Sequence, residues 1–228
     1  MRYSLKNVLL PFAIGLLIFV TGVTAQMSSN SSTLLLAMAA NAKRMMQYEW
    51  KQRITVVRKG NAAEPIIDQV RFDSAGKMQR TTISAPEQKE ARGLRGRVKS
   101  NVAAGVKEDV KQIMELAGSY NKPQQMVEAV RKAQVSQTGG GTIRLQANNL
   151  ITSTDSMTMM VNSATHLAKH VDIKTDYNGD PMAIAQDYSP VPGGPNVMKT
   201  MRVSVPAKSL VVNVDSYDFV RQTAALRR

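Results

Sequence analysis

The chain contains no cysteine among its 228 residues. Disulfides and thiolate metal sites are therefore excluded, as is lipid attachment at a cysteine. Aromatic residues make up only 5%, with a single tryptophan, Trp50. Few side chains are available to stack on bases, which argues against a nucleic-acid partner. Histidine occurs twice, at 166 and 170. Acidic residues are scarce relative to basic ones, 17 against 30, giving a formal charge of +13. Such a balance favours anionic surfaces or acidic partners, or serves solubility alone. No phosphate loop, Ser/His/Asp arrangement or carboxylate pair is present. Gly139-Gly140-Gly141 lacks the Lys-Ser/Thr that a phosphate loop requires.

The first 25 residues are the most informative segment. Arg2 and Lys6 form a basic start, and Val8 to Val20 is an apolar run of 13 residues. A bilayer-spanning helix needs about 20. Thr21-Gly22-Val23-Thr24-Ala25 then offers the short residues that a signal peptidase reads. We read residues 1–25 as a signal peptide cleaved after Ala25, with an uncleaved anchor as the alternative. The expected location is the bacterial periplasm, and the mature chain of 203 residues, carrying +11, is long enough for one domain with its own core.

Beyond the signal the hydrophobic period changes several times. Leu34 to Gln47 lacks Gly and Pro and reads as a helix capped by Ser32 or Thr33, its apolar face including Leu35, Met38, Ala42 and Met45. Tyr48, Trp50, Ile54 and Val56 alternate with charged or polar neighbours, as a strand with one buried face does. Turns at Gly60-Asn61 and Asp73 to Gly76 divide three strands of an antiparallel meander. Residues 87–134 interrupt it with a helical insertion. Within that insertion Val98, Val102, Val106, Val110, Ile113 and Ala117 form one stripe, and Pro123 opens a second, shorter helix. Alternating segments then return through to Val214, punctuated by the hairpin signal Asn178-Gly179 and by Pro192-Gly193-Gly194-Pro195. About nine or ten strands result.

This order of helix, meander, helical insertion and hairpins, ending in Val203-Ser204-Val205 and Leu210 to Val214, resembles the fold of the periplasmic lipoprotein carrier LolA and its relatives. Tyr48-Glu49-Trp50-Lys51-Gln52-Arg53 and Gly93-Leu94-Arg95-Gly96-Arg97 resemble a group of uncharacterised bacterial exported proteins. The resemblance implies an α+β fold. A curved antiparallel half-barrel sheet would wrap an N-terminal helix and a helical insertion around an apolar cavity. It implies no transferable catalytic residues.

Three groups of residues are candidate sites. The 14 methionines include Met157, Met159 and Met160 in one strand, with Met182, Met198 and Met201 nearby. Flexible thioethers suit variable apolar ligands and ordinary core filling alike. We take Trp50, Met157, Met159, Met182 and Met201 as candidate ligand contacts. Lys89, Arg92, Arg95, Arg97 and Lys99 lie within eleven residues and suit anionic head groups, an acidic envelope protein, or plain solvation. His166 and His170 have a spacing that suits a metal face on a helix or one face of a strand shared with Asp172, but HExxH and an assured third ligand are missing, so a solvated strand edge or loop is the favoured reading. Ser74-Ala75-Gly76-Lys77 matches S-x-x-K but falls in a turn, where the lysine does not fold back on the serine.

The expected function is binding or carriage of a lipid or acylated molecule in an apolar cavity. The alternative is an envelope protein–protein interaction module with a filled core and a basic docking helix. We expect no catalysis, no cofactor and no metal. A ligand pocket typically measures about 300–1,000 Å³, so cavity volume discriminates the two readings.

Overall fold

The structure, a computed structural model, describes residues 29–85 and 94–222. The proposed signal, Lys89 and Arg92 lie outside them. Among the described residues three α-helices and eleven strands follow one another. They are α1 (Ser29–Met45), β1 (Tyr48–Arg58), β2 (Asn61–Ala62), β3 (Ile66–Phe72), β4 (Met78–Ser84), α2 (Leu94–Ser119), α3 (Pro123–Lys132), β5 (Gln134–Gln137), β6 (Thr142–Asn148), β7 (Ser156–Asn162), β8 (Ala168–Tyr177), β9 (Asp180–Pro190), β10 (Asn196–Val205) and β11 (Leu210–Arg221).

All strands join one open antiparallel sheet in the order β4-β3-β1-β11-β10-β9-β8-β7-β6-β5, with the two-residue β2 added on β1. The last strand thus fills the place beside the first. β1 pairs β11 from Tyr48↔Arg221 to Arg58↔Leu210, a ladder that spans the whole length of β1. β8 illustrates why these segments are strands. Val171, Ile173, Thr175 and Tyr177 are buried while Asp172 and Lys174 are exposed, a strict period of two. Asn178 and Gly179, both at positive φ, close the turn to β9 as the Asn-Gly pair predicts.

The helices cover one face of the sheet. Leu34, Leu35 and Met38 of α1, Ile113, Met114 and Ala117 of α2, and Ala129 and Val130 of α3 share a core with the inward residues of the strands. The α1 residues fall at the spacing of one helix face. Tyr120, fully buried between α2 and α3, places its hydroxyl 2.9 Å from Asp155 Oδ2 and 2.8 Å from Thr175 Oγ1. Asp155 also accepts the backbone N–H groups of Leu150, Ile151 and Thr152 at 2.7–2.9 Å, so one carboxylate organises the loop between β6 and β7.

Several expectations are revised. α1 begins at Ser29, so Ser32 and Thr33 lie inside the helix rather than capping it. α2 runs on through Gly105 from Leu94, longer than its glycines suggest. The strands number eleven because β2 and β5, short and fully exposed, carry no hydrophobic period to announce them.

Candidate apolar cleft beneath the first helix

A cleft of about 100 Å³ lies where α1 crosses the sheet. Five methionines line it: Met38 and Met45 of α1, Met46 of the following turn, Met126 of α3 and Met198 of β10. Trp50 and Gln52 of β1, Phe72 of β3, Tyr188 of β9, and Ser216 and Phe219 of β11 also border it.

Two β-bulges shape this wall. Along β11, Leu210, Val212, Val214 and Ser216 point inward at even numbers. Between the pairs Lys51↔Tyr217 and Glu49↔Val220 the register slips, with Asp218 at φ 53°. The slip reverses the phase, and Phe219 turns inward to stack on Trp50, ring centroids 5.9 Å apart and planes 15° apart. Phe72 completes the cluster at 5.8 Å from Trp50. In β10 Met201, Val203 and Val205 are buried at odd numbers, but the register slips between Met198 and Thr200. Met198 is consequently paired with Tyr188 and shares its inward face. Lys199, at that slip, sets its Nζ 4.4 Å from the Phe219 ring centroid, so the two bulges meet.

Polar groups hold the cleft's rim and floor. At the rim, Asn41 Nδ2 donates to Asn196 O at 2.8 Å and its Oδ1 accepts from Asn196 N at 2.7 Å. Asn196 Nδ2 in turn donates to Ala168 O at 2.7 Å, tying α1 to β10 and β8. On the floor, Gln52 is 1% exposed and stands opposite Ser216 on one side and Asp68 on the other. Its Nε2 donates to Ser216 Oγ at 3.1 Å, while its Oε1 is buried with no hydrogen-bond partner. Beyond it Asp68 accepts from Thr82 Oγ1 at 2.8 Å and lies 3.6 Å from Arg80, whose guanidinium burial lowers to a pKa of about 10 against the opposing pull of Asp68. Tyr188 donates to Gln186 Oε1 at 2.8 Å, and burial pushes its phenol above the ordinary range.

No protein-family model matches the chain, and no curated protein matches it. Among solved structures it is similar to a DUF1329 family protein from Desulfovibrio piger ATCC 29098, with 11% identity and a TM-score of 0.44 over 86% of this chain and 93% of that one. It is also similar to a LolA superfamily protein from Nitrosomonas europaea, with 8% identity and a TM-score of 0.40 over 86% of this chain and 95% of that one.

The structure places Trp50, of the five candidate ligand contacts, in the wall of the cleft. Met157, Met159, Met182 and Met201 are each 2% exposed and sit in the main core, where α3 packs on β6 and α2 on β10. The methionines of the cleft come instead from α1, its turn, α3 and the bulged end of β10. Met38 and Met45 stand on the helix face that periodicity marks, and the adjacent Met45-Met46 pair just before Trp50 is the signal that points to them. Arg95, Arg97 and Lys99 lie on the first turns of α2, and their side chains are outside the described residues.

The remaining motifs resolve into structural roles. His166 sits in the turn before β8 at φ 56°, apart from His170 on the strand. His170 Nδ1 is 2.6 Å from Asp187 Oδ1 and its Nε2 is 3.0 Å from Asp172 Oδ2. Among the described residues no group of three His, Asp or Glu side chains is arranged to hold a metal ion. Ser74 lies in a turn whose backbone N–H groups at Ala75 and Lys77 are both taken by Asp73 Oδ1.

Proposed function

We propose that this protein binds a lipid, or the acyl part of a lipidated molecule, with a chain seated in the cleft beneath α1. The observation that carries the reading is the convergence of five methionines, from four separate elements, on one apolar cleft. Thioether side chains have three rotatable bonds and a polarisable sulfur, so they accommodate chains of varied length and unsaturation. At about 100 Å³ the cleft is smaller than the ~300–1,000 Å³ of sites that bury a whole small molecule. In this reading it holds the end of a chain, and deeper entry requires α1 to lift and the methionines to change rotamer. Met157, Met159, Met182 and Met201 then back the helices rather than make first contact with the ligand, and Trp50 forms the wall.

The rest of the proposal follows from the sequence. The sheet acts as a half-barrel around its helices, residues 1–25 export the chain to the periplasm, and Lys89, Arg92, Arg95, Arg97 and Lys99 meet anionic head groups. Protein stripped of lipid, incubated with a membrane extract and repurified should return acylated molecules detectable by mass spectrometry. Ala42→Phe, which fills the cleft from α1, should reduce the yield. Recovery no greater than with a control protein of similar charge overturns the reading.

Two observations favour a second reading: the cleft, at about 100 Å³, is below the ~300–1,000 Å³ of a ligand pocket, and the core is filled. The core under α2 and α3 is filled by the protein's own side chains, Ile113, Ala117, Tyr120 and Val130 among them at 2% exposure or less. A filled core is what a docking module for an acidic envelope protein needs. Crosslinking in intact cells that traps a discrete protein adduct, together with an empty lipid extract, selects this reading over the first.

A further inference from the structure

We propose that the ligand of this cleft carries a hydroxyl group, and that the side-chain amide of Gln52 is its recognition point. The inference rests on the cleft being a ligand site. Gln52 lines the cleft from the middle of β1, is 1% exposed, and leaves Oε1 buried without a partner. A buried amide oxygen left unpaired loses its hydration with nothing in return, which destabilises the fold. Inward positions of β1 are otherwise apolar, Trp50 and Ile54 flanking Gln52 on the same face. A leucine or methionine there would pack the same space without an orphaned acceptor. The polar side chain is explained by a donor that arrives with the ligand.

The chemistry narrows the donor. Gln52 is held by Ser216 at 3.1 Å, so one end of its amide is fixed and the other has no hydrogen-bond partner within the protein. A hydroxyl both donates and accepts, so it satisfies that free end whichever way the amide is turned. An ammonium group only donates and a carboxylate only accepts. The lining of the cleft carries no charged side chain, and the neighbouring Asp68 is already engaged by Arg80 and Thr82, so an ionised group finds no counter-charge in the lining. An alkyl or acyl chain bearing a hydroxyl fits both the apolar wall and the polar floor.

Two probe pairs separate the possible positions of the hydroxyl. 3-Hydroxydecanoic acid against decanoic acid tests a hydroxyl on the chain. Monodecanoylglycerol against methyl decanoate tests one on the head group. Binding to the full mature protein is followed by calorimetry and by Trp50 fluorescence. We expect the hydroxylated member of at least one pair to bind about tenfold tighter, as one well-placed buried hydrogen bond gives. Gln52→Met should remove that preference, so that the two members of the pair bind within about twofold of each other. Equal affinities within both pairs overturn the hydroxyl assignment while leaving the cleft as an apolar site. A preference that survives in Gln52→Met, or in Gln52→Leu should the first variant fold poorly, assigns the recognition elsewhere and overturns the role of Gln52. Failure of all four probes to bind removes the ligand site itself, and this inference with it.

Discussion

Asn41 on the first helix and Asn196 at the start of β10 are joined by two reciprocal hydrogen bonds, 2.8 and 2.7 Å, across 155 residues of chain. The side-chain amide of Asn41 matches the donor and acceptor of one residue's backbone, as a neighbouring strand would. This pair fixes where α1 crosses the sheet, and hence the width of the cleft below it.

Asn41→Ala leaves the Asn196 N–H and C=O without these partners at a half-buried site. The expected cost is about 2 kcal/mol, or roughly 4–8 °C in melting temperature for a domain of this size. Amide hydrogen exchange should accelerate in α1 and stay unchanged in β6 and β7, which make no bond to Asn41. Uniform acceleration over the whole chain would show that the pair supports global stability rather than the seating of one helix.

A second relationship is sensitive to pH. Burial on its own would lower the pKa of His170, but its hydrogen bond to Asp187 and the nearby Asp172 charge outweigh burial and raise it above 6.5. Asp187 is lowered by the same bond. The His170 contribution is therefore fully present below its unfolded value of about 6.5 and is lost as pH rises through the raised folded value. His170→Gln should destabilise the protein more at pH 6 than at pH 9. The Asp187 contribution runs the other way, present above its unfolded value and lost as acid protonates it. Melting curves of wild type and His170→Gln that differ by the same amount at both pH values would contradict the assignment.

Asp155 gives a larger effect. Burial raises its pKa, but bonds from Thr152, Leu150 and Ile151 N–H and from the Tyr120 hydroxyl prevail and lower it. Asp155→Ala strands three backbone donors and leaves the Tyr120 hydroxyl to Thr175 alone, at a cost of about 3 kcal/mol. The stabilisation by Asp155 persists above the unfolded carboxylate pKa and disappears as pH falls through the lowered folded value. Urea midpoints for wild type and Asp155→Ala should converge on acidification, and a constant gap down to pH 2 would refute this account.

Much of this architecture is legible in local sequence because it depends on local physics. The alternation from Val171 to Tyr177 and the Asn178-Gly179 turn specify a hairpin without reference to the rest of the chain. The helix face Leu35, Met38 and Ala42 is equally plain. What escapes is non-local. Nothing near Tyr48 announces that β11 will lie beside it, because that pairing joins segments more than 150 residues apart. The bulges at Lys199 and Asp218 reverse the inward phase part-way along two strands, so a regular alternation assigns Phe219 and Met198 to the wrong face. Gln52 is the instructive omission. It falls in phase with Trp50 and Ile54, and a polar residue on a buried face is the sign that a partner is required. The clustering of Met157, Met159, Met182 and Met201 is a property of the core and did not indicate the cleft.

Trp50 lets stability and the proposed ligand binding be tested together. It is 1% exposed, stacked on Phe219, tilted against Phe72, and packed by Met45 and Met46 where α1 ends. Truncating a buried indole costs about 3–5 kcal/mol, a large share of the 5–15 kcal/mol that holds a typical domain together. Trp50→Ala should therefore melt far below wild type and accumulate poorly in cells. Trp50→Phe retains an aromatic ring against Phe219 and should recover most of the loss. Because the indole also borders the cleft, its emission reports on occupancy. In the free protein it should be blue-shifted and resistant to iodide quenching, and addition of an acyl chain should change its intensity in a saturable way. A red-shifted and easily quenched emission would place the tryptophan in water and refute the packing described. Blue-shifted emission that ignores every added chain, with stability lost in Trp50→Ala as expected, would confine Trp50 to the core and leave α1 as a fixed part of the fold rather than a cover over a binding site.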